Sequence, residues 1–186
     1  MAAKGKWAQG IEPRHFHWIM QDKLAMCERP GGYGSNHRKV RRQEEIIWIR
    51  EKGFNPVVSL IPAPHNLHNY DELGVQWRHR PFPAAEDYPR YLSEVYPELA
   101  RLLAAGAKVL YHHEDLNDKV LGLMAGYLVW AGMVEEQPRA IFLVEHITSR
   151  QLGPQARELV SVAARVRAEL LAKVEAARAD AEAASE

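Results

Sequence analysis

"VLYHHEDLNDKVLGLMAGYLV", Val109 to Val129, is the stretch whose reading decides the fold. Val109 to His113 has the apolar run of a buried strand, "EDLND" is a polar turn, and "KVLGLMAGYLV" continues as an apolar helix. A strand that feeds a helix through a tight turn is the unit of an α/β sheet. In such sheets ligands bind beyond the carboxyl ends of the strands. The turn therefore carries the first candidate site residues: His112 and His113 at the strand end, then Glu114, Asp115, Leu116, Asn117, Asp118 and Lys119.

Working outward, "HFHWI" (His15 to Ile19) alternates like a strand, and "DKLAMCERPGG" (Asp22 to Gly32) reads as a second strand closed by a Pro-Gly turn. "HRKVRRQEEIIWIREKGF" spaces Val40, Ile46, Ile47 and Ile49 at near-helical intervals and stops at Gly53. "PVVSLI" (Pro56 to Ile61) is a continuous apolar run, the pattern of a strand covered on both faces. "PAPHNLHNYDELG" reads as a loop, the region around Val75 to Phe82 as a short strand, and Pro89 to Leu103 as a helix. Helices are predicted over Lys119 to Ala131, Glu135 to His146 and Pro154 to Val174. The last places Leu159, Val162, Val166, Leu170 and Val174 on one face, with Pro154 in its first turn. Strands alternating with helices give an α/β fold, a mostly parallel central sheet flanked by helices.

At 186 residues, 47% of them apolar, the chain has material for one core. The expected organisation is a polar N-terminal arm over 1–10, a single domain over 11–174 and a frayed tail over 175–186. Lys and Arg total 24 against 24 Asp and Glu, so no whole-chain field draws it toward nucleic acid or an anionic membrane. The basic cluster His37 to Arg42 is followed at once by Glu44 and Glu45 and has no interleaved stacking aromatics, which favours solvated helix surface over an RNA contact. No segment has the length and apolarity of a membrane span, and "MAAKGKW" lacks the apolar run of a signal peptide. Cys27, the one cysteine, reads as a small buried hydrophobe, and Trp48 and Trp77 as core. A cytoplasmic protein is the expectation.

The order "LAMCERPGG", "WIREKGF", "PVVSLI", "ELGVQWRHRPFP" and then "GLMAGYLVWAG" resembles the dual-specificity protein phosphatase family, cysteine-dependent enzymes of the PTP fold. The resemblance runs from about Phe16 to Val160 and rests on scaffold positions: Val57 and Val58, Gly74, Pro81 and Pro83, His112, and Ala125, Tyr127 and Leu128. That family's reactive loop reads His-Cys, five residues, Arg, then Ser or Thr. Its thiolate attacks phosphorus and its arginine grips two phosphate oxygens. Matching on His112 places His113 at the nucleophile, Leu116 at a glycine, Lys119 at the arginine and Val120 at the hydroxyl. The family's general-acid aspartate aligns with Ala84; Glu86 and Asp87 lie close by as carboxylates that could substitute, though a shift of two or three residues moves a carboxylate several ångströms.

The loop's own chemistry points the same way. A phosphate cradle needs inward amides and a positive field, whereas this loop sets Glu114, Asp115 and Asp118 against Lys119. Like charges about 4 Å apart repel by roughly 4 kcal/mol at an effective dielectric constant near 20, enough to offset the lysine. Asn117 or Asp118 falls where a helix N-cap belongs, and the protein is expected to supply its own anion, an inward-facing loop side chain occupying the donors that phosphate would use. The leading reading is thus a pseudophosphatase, a phosphatase fold without a catalytic residue or a cofactor that binds or scaffolds a protein partner through the former active-site face.

Two alternatives stand beside it. One is a phosphoric-ester hydrolase of altered chemistry, using His113 as nucleophile or a metal held by His112 and His113 with His65 and His68 of "HNLH". Adjacent residues rarely face one ion, which favours scattered histidines on a polar rim. The other alternative is a structural protein acting through its C-terminal helix. The oligomeric state is not readable from the sequence.

Overall fold

Residues 9–184 are described by the computed structural model. Two strands, β1 (His17–Met20) and β2 (Leu24–Glu28), open the fold as an antiparallel pair. Helix α1 (Lys39–Glu51) leads to β3 (Val57–Ser59), and the short helix α2 (His68–Glu72) leads to β4 (Trp77–His79). Helix α3 (Tyr88–Ala104) returns the chain to β5 (Val109–His113), followed by α4 (Asp118–Trp130), α5 (Gln137–Thr148) and α6 (Pro154–Ala183). The sheet order is β1-β2-β5-β3-β4, and every pairing except the β1–β2 edge is parallel. This is the mostly parallel, helix-flanked α/β architecture expected from the pattern. No helix among the described residues is long and apolar enough to cross a membrane.

The apolar runs are central because they are covered on both faces. Alternation along β5 sends Val109 and Tyr111 into the core shared with α3, α4 and α6, and Leu110 into the core shared with α1 and Phe54. His112, in step with Leu110, lies on the α1 side against Tyr70, with ring centroids 6.0 Å apart. His113 emerges on the other side. Cys27 is fully buried on the α1 side, where burial, with Glu45 and Glu28 adding, holds its thiol well above the usual range. Trp48 and Trp77 are half-buried and pack against that same core.

Helix α4 is positioned by contact with α6. A Cβ on Gly122 would lie 2.7 Å from the Cα of Ala156 and 2.8 Å from its carbonyl oxygen, so the two backbones meet where only glycine leaves room. The Tyr96 hydroxyl donates to the Leu123 carbonyl at 2.9 Å and ties α3 to the same helix.

Several elements depart from the sequence expectation. Val40 is 68% exposed. At about 3.6 residues per turn it falls on the side of α1 opposite Arg42, Glu45, Ile46 and Ile49, which are the buried positions. Two charged residues of the cluster read as solvated surface are therefore inside. Helix α2 lies where a loop was expected, because five residues are too few to show a periodicity. Strands β3 and β4 are shorter than the segments Pro56 to Ile61 and Val75 to Phe82 read as strands.

The segment expected to fray after residue 174 continues as helix to Ala183. Its Ala, Glu and Arg are good helix formers and need no tertiary partner to favour that state. Leu170 and Val174, expected on the buried face, are 43% and 40% exposed. The reason is length: α6 has 30 residues, roughly 45 Å at about 1.5 Å each, and outruns the body of the domain. Residues 1–8 of the expected N-terminal arm, and 185–186, lie outside the described residues.

Candidate functional site

The turn between β5 and α4 is built around its helix start. Asn117 is the N-cap of α4, and its side-chain oxygen accepts from the backbone N–H of Lys119 (3.1 Å) and Val120 (3.4 Å). Its Nδ2 donates to Asp115 Oδ1 at 3.0 Å and to His113 Nδ1 at 3.3 Å, so Nδ1 of His113 is the acceptor and its proton sits on Nε2. Leu116 is 1% exposed, an apolar peg that fixes the turn to the core, and its carbonyl accepts from Arg150. Asp118 accepts from the Gly153 N–H at 3.1 Å, joining the start of α4 to the start of α6. Glu114 reaches Arg29 at 3.7 Å, and the Lys119 ammonium sits 5.8 Å from the centroid of the Phe82 ring.

The group at the helix start is thus the neutral carboxamide of Asn117. The carboxylates expected to face inward are drawn elsewhere: Glu114 to a guanidinium, Asp118 to a neighbouring backbone, Asp115 to the amide of Asn117. Burial lowers the His113 pKa, and the pull of Asp115 and Glu114 in the other direction does not reverse it. The ring is therefore neutral near pH 7. Its 3.7 Å separation from Asp115 exceeds a hydrogen bond. Replacing Asn117 by alanine is expected to cost about 1 kcal/mol, the usual worth of such a cap, measured as a lower urea midpoint with unchanged slope.

No protein-family model matches the chain, and no curated protein matches it in sequence. Solved structures do match. Tk-PTP in its active form is 17% identical, with 81% of this chain and 97% of that chain covered and a TM-score of 0.64. Kinase associated phosphatase, carrying serine for its catalytic cysteine, is 16% identical over 80% of this chain and 92% of its own, TM-score 0.66. Human DUSP28 is 16% identical over 88% and 99%, TM-score 0.59. The fold is that of the dual-specificity phosphatases.

On this phosphatase fold the expected acid region is exposed: Glu86 and Asp87 lie on a 3-10 turn, Ala85–Asp87, ahead of α3. Among the described residues neither is hydrogen-bonded to the β5–α4 turn. The four histidines weighed as metal ligands do not assemble. His112 and His113 leave β5 on opposite faces, His65 and His68 are exposed, and among the described residues no group of three His, Cys, Asp or Glu could hold a metal. What the sequence reading missed is a polar group on the α1 side of the sheet: Arg29, Arg42 and Tyr70 line a cavity with buried His112, and Glu45 lies close to Tyr70. Its signal was present in α1, where Arg42 and Glu45 share the stripe of Ile46 and Ile49.

Proposed function

We propose that this phosphatase-fold chain does not turn over phosphate esters and acts by binding a protein partner through the face around Glu114 and Asp115. The observation that carries the reading is the Asn117 carboxamide on the amides of Lys119 and Val120, beside a neutral imidazole where the family's thiolate would be. The cap alone is a modest barrier, since about 1 kcal/mol weakens an incoming anion roughly fivefold. The chemical losses weigh more. No sulfur nucleophile stands at His113, and Lys119, which leans on Phe82, is a point charge without the paired donors of a guanidinium.

With para-nitrophenyl phosphate, with and without added divalent metal ions, the wild-type protein and His113→Ala are expected to give the same background rate. Turnover that disappears in His113→Ala would overturn the proposal in favour of a histidine nucleophile. For the partner, Glu114 and Asp115 offer half-exposed carboxylates, 42% and 45% exposed. The exposure of Leu170, Leu171 and Val174 supports a second reading, contact through the end of α6. A co-purifying protein lost on Glu114→Lys with Asp115→Lys, and retained on removing residues 170–186, fits the first reading. The opposite pattern fits the second.

A further inference from the structure

We propose that Arg29, Arg42 and His112 form a binding site for a phosphate-like oxyanion, beneath the β5–α4 turn and separate from it. The site is a cavity on the α1 side of the sheet, lined by Arg29, Pro30, Arg42, His65, Tyr70 and His112 among others. Its volume of about 10 Å³ admits one water-sized group, the size of a single oxygen of such an anion, with the remainder at the mouth.

Two of its polar side chains are more than nine-tenths buried and have atoms without a partner. Arg42 is 7% exposed and its Nε is unbonded; His112 is 2% exposed and neither ring nitrogen has a partner among the described residues. Arg29, whose side chain is 11% exposed, flanks them. Burial, with Arg29 and the neighbouring His113 and His79 adding, takes the His112 pKa down to about 3, so the ring is neutral and one nitrogen carries a donor. An Arg42 N–H and a His112 N–H point to a set dominated by donors, with the Arg29 guanidinium beside them, itself donating to the His65 carbonyl at 3.5 Å and facing Glu114.

The nearby carboxylates offset it only in part: Glu72 acts on Arg42 through its field, without an ion pair among the described residues. Glu45 is occupied by the Gly31 N–H at 2.6 Å and by Arg41 at 2.7 Å. Glu72 accepts from Asn69 at 2.9 Å. Glu114 meets only Arg29, at 3.7 Å and with much of its side chain in solvent. Among the described residues, the side-chain partner bonded to the Arg42 guanidinium is the ring of His37. A buried guanidinium without a carboxylate is an unstable arrangement that a bound anion relieves. Two guanidiniums with planar donor forks favour an oxyanion over a spherical ion. A single water would satisfy His112 but would bring no negative charge to Arg42.

The proposal does not rest on the loss of catalysis, because occupancy is read apart from turnover. The test is titration of the intact protein with inorganic phosphate and, separately, O-phosphoserine at fixed ionic strength, following the His112 ring by nitrogen-15 NMR together with thermal melting. The expected result is a saturable shift of His112 and a rise in Tm beyond that given by sodium chloride. Both responses should weaken at least tenfold in Arg42→Gln, with Arg29→Gln as the second variant if the first does not fold. Response to both probes identifies a phosphoryl group borne by a larger ligand, and response to inorganic phosphate alone identifies the free ion. An equal response to chloride, a silent His112, unchanged binding in the folded variants, or shifts confined to the amides of 114–119 would each overturn it.

Discussion

Lowering the pH from 7 to 4 is expected to remove about 3 kcal/mol of folding stability through His112 alone, at about 1.4 kcal/mol per pH unit. In the unfolded chain this imidazole takes up its proton near 6.5; in the folded chain it is held to about 3, by burial first and then by Arg29, His113 and His79. Between those two values the unfolded state binds the extra proton. The contribution is therefore complete above about 6.5 and is lost progressively as the pH falls toward 3. Folding stabilities of small domains run from about 5 to 15 kcal/mol, so the loss is a large share. Urea unfolding across this range should show the slope in the wild type, and His112→Gln should flatten it between pH 6.5 and 4. An identical pH dependence in the variant would mean that His112 is not held neutral.

Gly122→Val is expected to cost about 3 kcal/mol of folding stability. Helix propensity alone favours alanine over glycine by about 1 kcal/mol, so a solvent-facing Gly122 would gain from any side chain. Here the first added carbon already lies 2.7 Å and 2.8 Å from backbone atoms of Ala156, which cannot rotate aside. Overpacking of a core costs typically about 1–3 kcal/mol, and valine adds two further methyls to the clash. Gly122→Ala should fall between, its propensity gain offsetting part of the strain. The order wild type, alanine, valine in urea midpoint is the check. An alanine variant more stable than wild type would show that α4 and α6 separate easily.

The architecture was largely legible because it is written in continuous runs. Leu24 to Cys27 and Val109 to Tyr111 are apolar without interruption, Val57 to Leu60 is broken only by the buried Ser59, and such strands are stable only with helices on both faces. Asn117 as a helix start was legible for a local reason, since an N-cap acts on amides two and three residues ahead. The candidate loop was equally visible as a change of residue types at His113, Leu116 and Lys119. The destinations of its carboxylates were not, because Arg29 and Gly153, which take Glu114 and Asp118, are distant in sequence.

By itself, then, the sequence determined the layered sheet, the order of its main elements and the residue types of the β5–α4 turn, all of which follow from periodicity and residue type within short windows. Only the tertiary structure decided that Arg42 and Glu45 are buried, that His112 and His113 face opposite sides, that α6 outruns the domain, and that Arg29, Arg42 and His112 share one cavity. Those outcomes depend on which segments meet across the sheet. Helical or strand phase gives a side chain's direction, while its burial and its partners are set by whatever element packs opposite.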